Sequence, residues 1–299
     1  MIISVVNHTS SKVSDEALQL VIRAINRQIT EDFEPYWSLG ATLRLEGRSE
    51  KEPSKLTMHD LRGDAILYLW DKIDVPGALG YHDQSARGIP YGFVFTDLAK
   101  KLGEPWSVTL SHEALELIAD PEVNLLVMGP HPADPNKAVF HWYEMSDTVQ
   151  DETYEIDHVK VSNFVLPLYF TGSDEPGGRN DFLGRSYNGK TLNSFGVNPG
   201  GYVGFYNPET GDHETFARRG DEVAKKRLKL KGEAKAARRA VRYCRFTEAA
   251  IVKAAATDMP GRRTTRGAAA TSPARGAEVS AAPDVFGLET PGKHRKTGV

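Results

Sequence analysis

The chain has 299 residues, of which 40% are apolar and 26% charged, the ordinary balance of a globular protein able to bury a core. No apolar run approaches the roughly 18 residues that span a bilayer, which excludes a membrane-embedded protein. The single Cys244 excludes a disulfide framework and a Cys-rich zinc knuckle. The start lacks the basic segment and long apolar run of a signal peptide, so a cytoplasmic location is expected. The net charge of −3 conceals a split. From Ala217 onward 20 basic residues face 8 acidic ones, net +12, while the first 216 residues hold 17 against 32, net −15. Two regions with different partners are expected.

Residues 2–6 form a β-branched run that predicts a buried strand. Ser14 then caps a helix whose apolar stripe is Val13, Ala17, Leu20, Val21, Ala24, Ile25 and Ile29, broken only by Gln28, and which ends before Pro35. Residues 42–46 alternate Leu with polar residues, and residues 65–70 read as an apolar strand. A polar, Gly-rich passage around Gly80, His82 and Gly88 leads to residues 91–95, which follow Pro90 and read as an edge strand. Residues 106–119 predict a second helix, stopped by Pro121. Beyond it, residues 172–211 are loop-heavy, with turns bracketing a short strand at 202–206.

The second helix carries Ser111-His112-Glu113-Ala114-Leu115-Glu116. His112 and Glu116 are four apart, so they project from one face about one turn from each other. An imidazole and a carboxylate so placed can share one divalent ion. Glu113, rotated by about 100 degrees, then stands beside it as a general base for a water the ion holds.

With His112-Glu113 at the first two positions of His-Glu-x-x-His, and with this element order before them, residues 1–125 resemble the zincin metallopeptidases, and the likeness extends more loosely to about 210. Glu116 departs from the usual second His. The resemblance implies a zincin-like α+β fold, a twisted mixed sheet with the active-site helix against it and an edge strand that aligns a peptide substrate. On the strand reading above, that edge is residues 91–95. It also implies Zn2+, or another divalent metal in view of Glu116, and a downstream carboxylate as third ligand. Glu144 is the preferred one, with Asp147 as an orienting group or alternative ligand and Asp120 competing for either role.

The blander reading is a solvated polar helix face, with Glu144 and Asp147 capping a turn. Among Tyr143, Tyr154, His131, His141, His158, His82 and His59 nothing in the sequence selects an oxyanion-stabilising group. No nucleotide-binding loop or serine-hydrolase elbow is present.

Three segments are therefore expected: an acidic zincin-like domain over 1–216 (sheet and motif helix at 1–125, loop-rich subdomain at 126–216), a basic helical segment at 217–258, and a disordered tail at 259–299. Lys231, Lys235, Arg238, Arg242 and Arg245 recur at helical spacing as a basic stripe. The expected activity is metal-dependent hydrolysis of a peptide or protein. The alternative is a non-catalytic scaffold for binding or assembly, whose basic tail engages nucleic acid or an acidic protein.

Overall fold

The structure is a computed structural model that describes residues 1–10, 12–51, 60–71, 79–85, 87–172 and 178–218. The expected basic helix, from residue 219 on, and the disordered tail lie outside the described residues, as does His59. In chain order the first elements are β1 (Ile2–His8), α1 (Asp15–Arg27), a π-helical stretch (Gln28–Phe33), α2 (Glu34–Trp37), β2 (Thr42–Arg48), β3 (Ala65–Trp70), β4 (Gly80–Gln84), β5 (Pro90–Phe95), α3 (Thr96–Leu102) and α4 (Trp106–Ala119). They are followed by β6 (Leu126–His131), β7 (Asp134–Trp142), β8 (Thr153–Ile156), β9 (Val159–Ser162), β10 (Tyr202–Asn207) and β11 (Asp212–Ala217). The result is an α+β fold on a mixed sheet with few helices. Among the described residues no helix is long and apolar enough to cross a membrane.

The first sheet has the order β2-β1-β3-β5-β4. β1, β2, β3 and β5 run parallel, and β4 lies antiparallel to β5 at the edge. Strands 65–70 and 91–95 pair on both sides and are buried on both faces, as their continuous apolar runs require. Residues 91–95 are thus interior, which corrects the edge-strand expectation. The edge is β4, Gly-Tyr-His-Asp-Gln, whose polar composition hid it. Pro90 fits because it is the first residue of its strand, where no ladder donor is lost from the interior.

α1 and α4 share one face of this sheet, where Ile3, Val5, Leu67, Leu69 and Val94 meet Leu18, Ile22, Ile25, Leu110 and Leu117. On the other face Tyr68, Tyr81, Tyr91, Phe93 and Phe95 pack with Leu98 of α3. Ser14 caps α1 as expected, its hydroxyl accepting from Ala17 N at 3.1 Å. The buried stripe is Leu18, Val21, Ile22, Ala24 and Ile25, whereas Ala17 and Leu20 face outward, because on a 3.6-residue repeat Leu20 falls opposite the Leu18–Ile22–Ile25 line. Helical backbone also continues past Arg27, through the π stretch and α2, so Pro35 stands in the first turn of α2 and does not end the run.

Residues 126–217 hold more strand than their composition announced. β11-β10-β7-β6 form an antiparallel sheet, and β8 and β9 form a hairpin. The Asn207–Gly211 turn expected from sequence does join β10 to β11, with Gly211 at φ 69°, where glycine carries no steric penalty.

Candidate metal centre

α4 is buried around its whole circumference from Ser107 to Ala119. A helix in that position normally carries apolar residues alone, and six polar ones here, Ser107, Thr109, Ser111, His112, Glu113 and Glu116, need partners. Ser111 finds them structurally: its hydroxyl donates to Gln28 Oε1 at 2.6 Å and accepts from Ser162 N at 3.1 Å. Gln28 Nε2 in turn donates to Ser162 O at 2.8 Å and to Tyr154 OH at 3.1 Å. The one polar break in the α1 stripe is therefore the clamp that ties the π stretch, α4 and the β8–β9 hairpin together.

His112, Glu113 and Glu116 point away from that clamp into a cluster of charged groups. His112 Nε2 lies 3.2 Å from Glu116 Oε2 and 3.2 Å from Asp147 Oδ1. His82, delivered by β4, places Nδ1 at 3.3 Å from Glu113 Oε2 and 3.7 Å from Glu116 Oε2, and Nε2 at 3.8 Å from Glu144 Oε2. Glu116 Oε1 accepts from Ser146 N at 3.1 Å, which anchors the segment carrying Glu144 and Asp147 to α4. His112 is 9% exposed, and Glu113 and Glu116 are 3% each, so the polar face of α4 is an interior one and not a solvated surface.

The structure thus brings His112, Glu116 and Asp147 into one group and sets Glu144 beside His82. Asp120 serves the chain turn after α4: its two oxygens accept from Asn124 N at 3.1 Å and Leu125 N at 3.0 Å. Tyr154 donates to Asp32 at 2.7 Å as part of the clamp, and His141 Nε2 faces Pro130 O at 2.8 Å. Tyr143 packs on Trp37 and Phe170, and His158 sits in the β8–β9 turn. His82, which the sequence offers only as one of several unselected oxyanion candidates, is the residue whose place among the ligand atoms sequence reasoning missed. The one signal for it was the alternation Gly80-x-His82, which puts both residues on one face of an extended segment.

Burial alone would drive both imidazoles neutral, but neighbouring carboxylates prevail. Glu144, Glu113 and Glu116 hold His82 protonated up to about 9, and Glu116 and Asp147 hold His112 up to about 10. Burial pushes Glu116 up to about 7; the charges of Glu144 and Asp147 act in the same direction and His112 opposes them. This is the electrostatic pattern of a site that asks for positive charge.

The donor set fits a divalent cation. Two ligands at about 2.0–2.2 Å from a tetrahedral zinc stand roughly 3.3–3.6 Å apart, close to the 3.2 Å separations of His112 from Glu116 and from Asp147. Imidazole with carboxylates and no thiolate suits zinc or manganese more than a soft metal. Beside the cluster, between β4 and α4, is a cavity of about 30 Å³ bordered by Gly80, Thr109, His112, Glu113 and Gln150. That volume holds about one or two waters. A Cβ on Gly80 would come within 2.7 Å of Glu113 Oε1, so glycine at this place leaves the carboxylate its room. Compared with known proteins, the chain matches no family model, no curated sequence and no solved structure.

Proposed function

We propose that the protein is a zincin-like metal-dependent hydrolase, with peptides or proteins as the substrate class, and that His112, Glu116 and Asp147 hold its divalent ion. The observation that carries the reading is the convergence of ligand atoms of these three side chains within 4.8 Å of one another, next to a buried glutamate and a water-sized cavity. The sheet supports it as well: an antiparallel edge strand runs alongside the helix that bears His112-Glu113.

When bound, the ion supplies the Lewis acidity that polarises a carbonyl and acidifies water. The chain's own residues supply the rest. Glu113 Oε1 faces Gly80 and the cavity, where it takes a proton from water held there. In the metal-free chain His82 Nδ1 lies 3.3 Å from Oε2 of the same carboxylate, which fixes its orientation. Gln150 closes the cavity opposite α4, its own amide being held by Gly200 O at 2.7 Å.

The test is a pair of variants in the full chain. His112→Ala loses the ion held with Glu116 and Asp147, read as a fall in bound metal by elemental analysis, and loses peptide hydrolysis. Glu113→Gln brings hydrolysis below detection while the ion at His112 remains, because an amide can hydrogen-bond but cannot accept the proton. Wild-type protein with metal bound and no hydrolysis across a peptide library would instead favour a binding or assembly role. The tightness of the 30 Å³ cavity is the feature that favours this second reading.

A further inference from the structure

The cluster contains two overlapping ligand groups, not one. His112, Glu116 and Asp147 form the first, and His82, Glu113 and Glu116 the second. Glu116 Oε2 belongs to both, at 3.2 Å from His112 Nε2 on one side and 3.7 Å from His82 Nδ1 on the other. We infer that the centre binds two divalent ions bridged by the Glu116 carboxylate, the second held by His82 Nδ1, Glu113 Oε2 and Glu116 Oε2. This deepens the hydrolase reading and rests on it for the first ion.

Geometry carries the second site. His82 Nδ1 stands 3.3 Å from Glu113 Oε2, again close to the spacing of two ligands around one small cation. The three donors come from two elements fixed against each other, β4 and α4. An independent observation concerns the other ring nitrogen. The His82 side chain is only 2% exposed, and its Nε2 makes no hydrogen bond while facing Glu144 Oε2 at 3.8 Å. With Nδ1 ligating an ion, its proton is released to solvent while Nε2 keeps its own and points it at that carboxylate, the arrangement by which ligating histidines are usually oriented. Four carboxylates, Glu113, Glu116, Glu144 and Asp147, then surround two cations, and the mutual repulsion of Glu116, Glu144 and Asp147 is relieved. Two ions held this way would supply Lewis acidity to a substrate oxygen. Glu113 Oε1 remains turned to the cavity.

The experiment is equilibrium dialysis of the full chain against Zn2+, with bound metal counted by elemental analysis. Two ions are expected per wild-type chain, one in His82→Ala, one in His112→Ala, and none in the double variant. One ion in the wild type that survives His82→Ala overturns the second site and leaves the first intact. No ion in the wild type overturns both. Because the His82 side chain is buried, its removal is backed by a measurement on the unaltered protein. Loaded with Mn2+, a carboxylate-bridged pair gives an exchange-coupled electron paramagnetic resonance spectrum, and an isolated six-line spectrum at saturation overturns the proposal.

Discussion

Ser111→Ala tests whether α4 is held by the polar clamp described above. Ser111, Gln28 and Ser162 are each fully buried. Removing the hydroxyl deletes the 2.6 Å bond to Gln28 Oε1 and the 3.1 Å bond from Ser162 N. Two buried polar groups then lack that partner, at about 1–3 kcal/mol each, which amounts to about 2–6 kcal/mol of lost stability. For a folded region of this size the midpoint of thermal unfolding falls by roughly 4–24 °C. Urea unfolding gives the free energy directly. Gln28→Leu in the same background completes a double-mutant cycle, in which the double variant loses less than the sum because the paired groups leave together. A loss below about 0.5 kcal/mol, or strict additivity, would refute the clamp.

Gly80→Ala should cost about 1–3 kcal/mol by overpacking, since its Cβ would meet Thr109 Cγ2 at 2.7 Å and the rigid Phe93 O at 2.8 Å. Unchanged urea stability would mean that β4 stands off α4. In metal-free protein the raised values of Glu116, His82 and His112 mean that the folded state binds more protons than the unfolded one. Stability is then greatest below the unfolded carboxylate value and declines as pH rises, first through the Glu116 range near 7 and then through about 9 and 10. A metal-free melting temperature that climbs between pH 6 and 9 would contradict this. Added Zn2+ should reverse the slope, because metal and protons compete for the same atoms. At 100 times its dissociation constant a single bound ion stabilises by about 2.7 kcal/mol. Chelation should therefore lower the melting temperature by roughly 5–10 °C, and a chelator without effect would argue against a bound ion.

Much of the frame was present in the sequence. The apolar runs of β1 and β3, the cap at Ser14, the limits of α4 and the turns around β10 are local properties, decided by side-chain periodicity and by Gly and Pro within a few residues. The pairing of His112 with Glu116 was legible for the same reason, since one helical turn sets it. The register of the chain in space was not. β4 is a strand because β5 offers it a hydrogen-bonding partner, and its Gly-Tyr-His-Asp-Gln composition carries no apolar alternation that would announce it. β6 and β7 were hidden likewise, their residues being largely half-exposed or exposed. The face of α1 shifted because the sheet selects one arc from a broad apolar surface.

The sequence by itself determined which residue types stand on α4 and that acidic groups follow downstream. Only the tertiary structure decided that Asp147 meets His112 while Glu144 meets His82, and that an imidazole 30 positions before His112 enters the cluster at all. Contacts between residues on one helical turn follow from covalent geometry. Contacts between a sheet edge, a helix and a distant loop depend on the packing of the core between them, which no short stretch of sequence encodes.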